Sequence, residues 1–178
     1  MGSFDRIDRR ALLGALVAAL AFPLHALAQN GPDRPLDSAL LSGLHFRAIE
    51  FDYGPLAAKG VRAQVELMRR FCPPALNKAF AGRVTPGDRR APVLRVVLDS
   101  ASFANDGGGY DELTPALDML EGTGLVIGPN GAVLASYPLL ASMDASGSLR
   151  YANVQGYDLR AQLLADSFAS WMRRKVGV

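Results

Sequence analysis

The sequence predicts an α+β fold in two layers: a mainly antiparallel sheet of about four strands, covered on one face by two main helices. Three observations predict it. Pro92–Asp99 (PVLRVVLD) alternates, with Leu94, Val96 and Leu98 facing one way and Val93, Arg95, Val97 and Asp99 the other. That is the pattern of a strand with one face on a core. Leu120–Gly128 and Ala132–Leu140 are two strand-like runs joined at Pro129-Asn130-Gly131, and Asn-Gly favours a tight hairpin turn. Finally, two stretches carry apolar residues at helical spacing, one before Pro73 and one at the C-terminal end.

Taken in order, the chain opens with Arg6, Arg9 and Arg10, then the apolar run Ala11–Phe22, then Pro23 and the small-x-small triplet Ala26-Leu27-Ala28. Charge, apolar run and small-residue site in that order predict a cleavable export signal over residues 1–28, cut after Ala28. A twelve-residue run is short for a bilayer span, which needs about 20. An amphipathic or buried first helix is the competing reading, but no polar face recurs at 3.6-residue spacing between Ala11 and Phe22. The Arg9-Arg10 pair before Ala-Leu-Leu resembles a twin-arginine export signal, with Asp8 and Gly14 departing from the pattern. The general secretory route also uses positive charge at this place. The residue after Ala28 is Gln29 rather than cysteine, so no lipid anchor is expected and the mature chain is expected free in the periplasm or secreted.

Residues 29–42, rich in Pro, Asp and Asn, read as a flexible leader, and 43–178 as a single domain. Leu44–Tyr53 (LHFRAIEFDY) is expected as a strand whose alternation shifts by one residue midway, as at a bulge. A helix follows from about Leu56 to Phe71, with Ala57, Val61, Val65, Met68 and Cys72 as its stripe. Pro73-Pro74 is expected to stop it and to open a second short helix, Pro74–Phe80, closed by Gly82. Arg83–Ala91 reads as loop. After the Pro92–Asp99 strand, Asn105–Gly109 (NDGGG) is too rich in glycine for regular structure. Beyond the hairpin, 144–147 reads as a turn and Leu149–Gln155 as a short strand. The final helix spans about Asp158 to Val176, with Asp158 as N-cap. Its inner stripe is Ala161, Leu164, Ala165, Phe168 and Met172, with Trp171 beside it, and Arg173, Arg174 and Lys175 sit in the last turn.

Composition excludes more chemistry than it suggests. Cleavage after Ala28 leaves sixteen basic and fifteen acidic residues, a net charge of +1, so no nucleic-acid partner and no stable membrane anchor is expected. About 150 residues bury enough surface to fold without a disulfide or metal, in keeping with one cysteine. The mature chain keeps one histidine, His45. There is no Gly-x-Ser-x-Gly elbow, no His-Glu-x-x-His and no Cys-x-x-Cys, so no catalytic residue, metal site or cofactor is assigned. Cys72 lies on an apolar stripe and reads as a small buried hydrophobe. Gly122, Gly124 and Gly128 are off the dinucleotide spacing and read as strand glycines.

One acidic group stands out: Asp106, Asp111, Glu112, Asp118 and Glu121. Dense carboxylates could bind a divalent ion or serve as an acid/base pair in a small hydrolase or metal-dependent enzyme. Their spacing lacks the calcium-loop pattern, and a solvated loop is the simpler reading. Within it, Asp106, Tyr110, Asp111 and Glu112 are the candidate ligand- or partner-binding residues, because loops with an aromatic anchor often carry recognition.

The Pro92–Asp99 strand, the hairpin LEGTGLVIGPNGAVLASY and the final Phe168-x-x-Trp171 helix resemble the small α+β envelope domains of Gram-negative bacteria, such as the LPS-assembly lipoprotein or the TolB amino-terminal domain. That resemblance implies an uncharacterised periplasmic binding or envelope-assembly role without catalysis, with an envelope protein or small ligand as partner, engaged through an exposed sheet edge or the glycine-rich loop.

Overall fold

The structure, a computed structural model, describes residues 43–104, 117–144 and 154–177. They form the expected α+β fold. Strands β1 (Ala48–Asp52), β2 (Val93–Ser102), β3 (Leu117–Ile127) and β4 (Val133–Asp144) make one four-stranded sheet in the order β1-β2-β3-β4. Helices α1 (Gly54–Ala58) and α2 (Arg62–Ala79) lie between β1 and β2, and α3 (Val154–Val176) follows β4. The β2–β3 and β3–β4 pairings are antiparallel, whereas β1 runs parallel to β2, from Ala48 opposite Val93 to Asp52 opposite Val97. A parallel neighbour requires a crossover, and α1 and α2 supply it.

The irregularity expected between Ala48 and Ile49 lies earlier in the chain and takes another form. Phe46 makes an isolated bridge to Val84, its N–H donating to the Arg83 carbonyl at 2.8 Å. The ladder proper starts only at Ala48. The break lets Phe46 point inward, fully buried against Phe80, while Ile49 and Phe51 still meet the core further on.

The helical crossover differs from the expectation at two points. The first helix ends at Ala58, since Gly60 takes a left-handed φ of 76° before α2 begins. In α1 it is Leu56, not Ala57, that is buried. Further on, Pro73 and Pro74 do not stop the helix; α2 runs through both. An internal proline forfeits a backbone bond and costs about 3 kcal/mol or more. Here Met68, Cys72, Ala75 and Leu76 lie buried on both sides of the pair, with Phe80 just beyond, and Pro74 is on the solvent side. Burying large side chains at roughly 1.5–3 kcal/mol each outweighs the local penalty.

The hairpin falls where the sequence places it. The Gly131 N–H donates to the Gly128 carbonyl at 2.9 Å, and the Gly128 N–H donates to the Ala132 carbonyl at 2.8 Å. Of the turn residues only Gly131 has positive φ, so the turn pairs an ordinary bend at Pro129-Asn130 with a left-handed glycine rather than two left-handed residues. The Asn130 side chain braces it by accepting from the Ala132 N–H at 3.1 Å. A register shift between Val126 and Ile127 absorbs the extra residue.

Helices α2 and α3 pack together over one sheet face, with Leu94, Val96, Leu98, Leu120, Val126, Tyr137 and Leu139 beneath them. The inner stripe of α3 is as expected: Ala161, Leu164, Ala165, Phe168 and Met172 are all buried. Gly122 and Gly124 are what lets it settle so close. A Cβ on Gly122 would sit 3.2 Å from the Phe168 ring of α3, as well as 2.5 Å from the Val97 carbonyl oxygen of β2, and one on Gly124 would sit 2.5 Å from the Met172 sulfur of α3. Trp171 is exposed, with the Arg174 guanidinium stacked 3.9 Å from its ring centroid. The start of α3 corrects two expectations. Val154 and Gln155 belong to the helix rather than to a strand, and Asp158 lies inside it rather than at its cap. The export signal, the leader and residues 149–153 of the expected strand lie outside the described residues.

Candidate functional site

The end of the sheet where β2 stops and β3 begins collects the unusual chemistry of the described residues. Asp118, on the inward face of β3, is fully buried, and Arg160 of α3 is 3% exposed. They form a two-pronged ion pair: Arg160 Nε donates to Asp118 Oδ2 at 2.8 Å, and Arg160 Nη2 donates to Asp118 Oδ1. The Nη2 group also donates to the Ala104 carbonyl at 2.9 Å, while the Ala104 N–H donates to Asp118 Oδ1 at 2.9 Å. Two strand ends and a helix are thus tied at one point. The guanidinium lies 5.2 Å from the Tyr157 ring centroid and 5.9 Å from that of Phe103, and the two rings meet edge to face at 6.5 Å. A buried pair of this kind adds little net stability, because desolvation offsets attraction. Its effect is positional: it fixes where Phe103 and Tyr157 stand.

Those two rings form the floor of a groove of about 600 Å³ between α2 and the first turns of α3. Its α2 wall is Ala63, Gln64, Glu66, Leu67 and Arg70, and Asp158 completes the rim. Arg70 spans the mouth to Asp158 at 2.7 Å. That pair is largely solvated and contributes little to stability, so it can open without unfolding anything. The groove is of ligand size, apolar within and polar at the lip.

The candidate residues from the sequence fall unevenly on this geometry. Asp106, Tyr110, Asp111 and Glu112 lie outside the described residues, as do Arg9, Arg10, Ala26 and Ala28. In the sequence the first four lie between Ala104 and Leu117. Asp118 and Glu121 are described, and they point to opposite faces of β3. Asp118 is therefore not part of a solvated loop but a buried ion-pair partner. Glu121 is exposed on the outer face and accepts a hydrogen bond from the Ser100 hydroxyl at 3.0 Å. They cannot act together on one substrate.

On that outer face, burial and the neighbouring Glu121 carboxylate push the Asp99 carboxyl above its ordinary 3.8, with Asp52 adding repulsion and Lys59 and Thr123 opposing. Among the described residues no three His, Cys, Asp or Glu side chains are placed to hold a metal ion. Burial pushes the Cys72 thiol up to about 12, so it stays protonated, as suits a buried hydrophobe. His45 is exposed ahead of β1.

Arg160, Phe103, Leu67 and Tyr157 were not legible as a site from the sequence. One signal did exist. Arg160 sits on the α3 stripe four residues before Leu164, and Asp118 sits on the inward β3 alternation two residues before Leu120. A lone cation on one apolar face and a lone anion on another imply a buried pair.

No family model matches the chain, and no curated protein matches it. Among solved structures it is similar to a protein of Caulobacter crescentus CB15 assigned provisionally as a lipoprotein, at a TM-score of 0.43 and 17% identity over 79% of this chain and 91% of that one. It is also similar to a minor lipoprotein from Acinetobacter baumannii, at a TM-score of 0.40 and 17% identity over 74% of this chain and 93% of the other. Neither is described as an LPS-assembly or TolB-like protein, and likeness at this level transfers no role.

Proposed function

We propose that the protein is a non-catalytic binding module of the periplasm, exported through the signal at residues 1–28, and that the groove between α2 and α3 takes its ligand. The ligand class is a small amphiphile. Its apolar body lies along Leu67, Ala63, Phe103 and Tyr157, and its polar end meets the lip formed by Glu66, Arg70 and Asp158. Two acids and one base leave that lip net negative, so a neutral or cationic end is favoured over an anionic one. The single observation that carries this reading is an apolar groove of about 600 Å³ whose aromatic floor is held in place by a buried ion pair.

The test is fluorescence titration of the chain from Gln29 onward with the neutral apolar dye N-phenyl-1-naphthylamine, followed by competition. Saturable binding at one site is expected, displaced by dodecylamine more readily than by dodecanoate. Ala63→Trp fills the groove and abolishes dye binding with an unchanged circular dichroism spectrum. Dye binding that survives Ala63→Trp undiminished overturns the assignment. Export is read separately, as a mature N-terminus at Gln29 in protein from the periplasmic fraction of the native host.

A further inference from the structure

We propose that the end of the molecule holding the last turns of α2 and α3 seats reversibly on an anionic phospholipid surface. Several segments meet there. The Arg47 N–H donates to the Pro92 carbonyl at 2.9 Å, so β1 and β2 start side by side. Val93 pairs with Ile127, which brings the turn at 128–132 to the same end. The last turn of α2 arrives through Phe80, whose ring centroid lies 5.9 Å from that of Phe46. α3 passes Phe103 with its Tyr157 at the far end of β2, and by Met172 it has reached Gly124. Together these segments carry Arg47, Lys78, Arg89, Arg90, Arg174 and Lys175 against a single acidic side chain, Asp88. Arg47 is half-buried and the other cations are exposed. The mature net charge of +1 conceals this end, because Asp52, Glu66, Asp99 and Asp158 stand toward the opposite one.

Helix dipoles favour cations in a last turn, which accounts for Lys78, Arg174 and Lys175 taken alone. They do not account for Arg89 and Arg90, which stand in the loop before β2. What these side chains share is one end of the molecule and one sign, so their partner is anionic. The apolar side chains beside them say which anion. Trp171, the chain's one tryptophan, is 46% exposed a turn before the end of α3, with the Arg174 guanidinium 3.9 Å from its ring centroid. Val133 and Leu134, just past the 128–132 turn, are each 44% exposed. A nucleic acid backbone takes up the cations but gives aliphatic side chains nothing to bury against. A bilayer surface takes both: its phosphates meet the cations, and its headgroup boundary receives tryptophan and aliphatic tips.

Cosedimentation of the chain from Gln29 onward with vesicles of mixed phosphatidylglycerol and phosphatidylcholine tests the proposal, with Trp171 emission as a second readout. Binding is expected on these vesicles, at least about tenfold weaker on phosphatidylcholine alone, and lost as salt rises. Trp171 emission is expected to move to shorter wavelength on the vesicles. Each cation near an anionic surface strengthens binding roughly fivefold, so Arg90→Glu with Lys175→Glu is expected to weaken it at least about tenfold. Lys59→Glu with Arg62→Glu makes the same change of charge at the groove end, and is expected to leave binding within about twofold. Circular dichroism reads the fold of both variants. Equal losses from the two pairs would make the attraction one of net charge and overturn the proposal. So does a chain that ignores phosphatidylglycerol vesicles at low salt, or one that binds them with no change in Trp171 emission. A short DNA duplex bound as tightly as the vesicles in the same salt overturns it too.

Discussion

Arg160 and Asp118 together decide the position of the aromatic floor, and their burial makes the consequence of removing one of them predictable. Arg160→Ala leaves the Asp118 carboxylate without its cation in an apolar setting, which costs about 3–5 kcal/mol. Replacing both at once, Asp118→Leu with Arg160→Met, is expected to unfold close to the unaltered chain in urea, because neither charge is left stranded. That double variant should nonetheless bind N-phenyl-1-naphthylamine more weakly, as Phe103 and Tyr157 lose their shared anchor. Asp99 gives a pH signature of its own. Its folded carboxyl holds a proton more tightly than the unfolded one, owing to burial and then to Glu121. Ionising it therefore costs stability as pH rises above 3.8, and the folded state loses ground there. Asp99→Asn is expected to raise the melting temperature at pH 7 and to leave it unchanged below pH 3.8, as read by thermal scans at the two pH values.

Elements differ in how far the sequence reveals them, and the reason is physical. The β3–β4 hairpin was legible because its determinants are local: a turn of Pro, Asn and Gly, with alternation on both sides. The β2 strand and the inner stripe of α3 were legible for the same reason. The length of α2 was not, because a local rule about proline is overruled by distant contacts of Cys72, Ala75, Leu76 and Phe80. The start of α3 was missed because Asp158 looks like a cap yet serves the groove lip. The candidate site needs side chains from α2, β2, β3 and α3, brought together only by the tertiary fold, so composition could suggest a binding role but not where it sits. At this scale Gly122 offers a direct check. Any added methyl there meets the Val97 carbonyl oxygen, a backbone atom that cannot swing aside, and Phe168 beyond it. Gly122→Ala is expected to destabilise the chain by about 1–3 kcal/mol in urea unfolding. The larger part of the effect should come from the β2–β3 pairing, whose backbone takes the closest contact, and the smaller part from Phe168 of α3.

The whole molecule places its two proposed contacts apart. The groove opens beside the first turns of α3, and the basic end lies at its last turn. A ligand could thus occupy one without blocking the other, and Ala63→Trp and the Arg90→Glu, Lys175→Glu pair are expected to act independently. No described helix is long and apolar enough to cross a membrane. The parallel seating of β1 beside β2 has a kinetic consequence as well. The hairpin closes over only a few residues, whereas β1 reaches β2 only after all of residues 53–92 have been gathered in. Contacts that span long stretches of chain form late. Five half-wet residues at the end of such a path make β1 the last strand to dock and the first to fray. Amide hydrogen exchange should record Ile49 and Phe51 opening well before Leu120 and Leu139, so that the protein breathes from this seam.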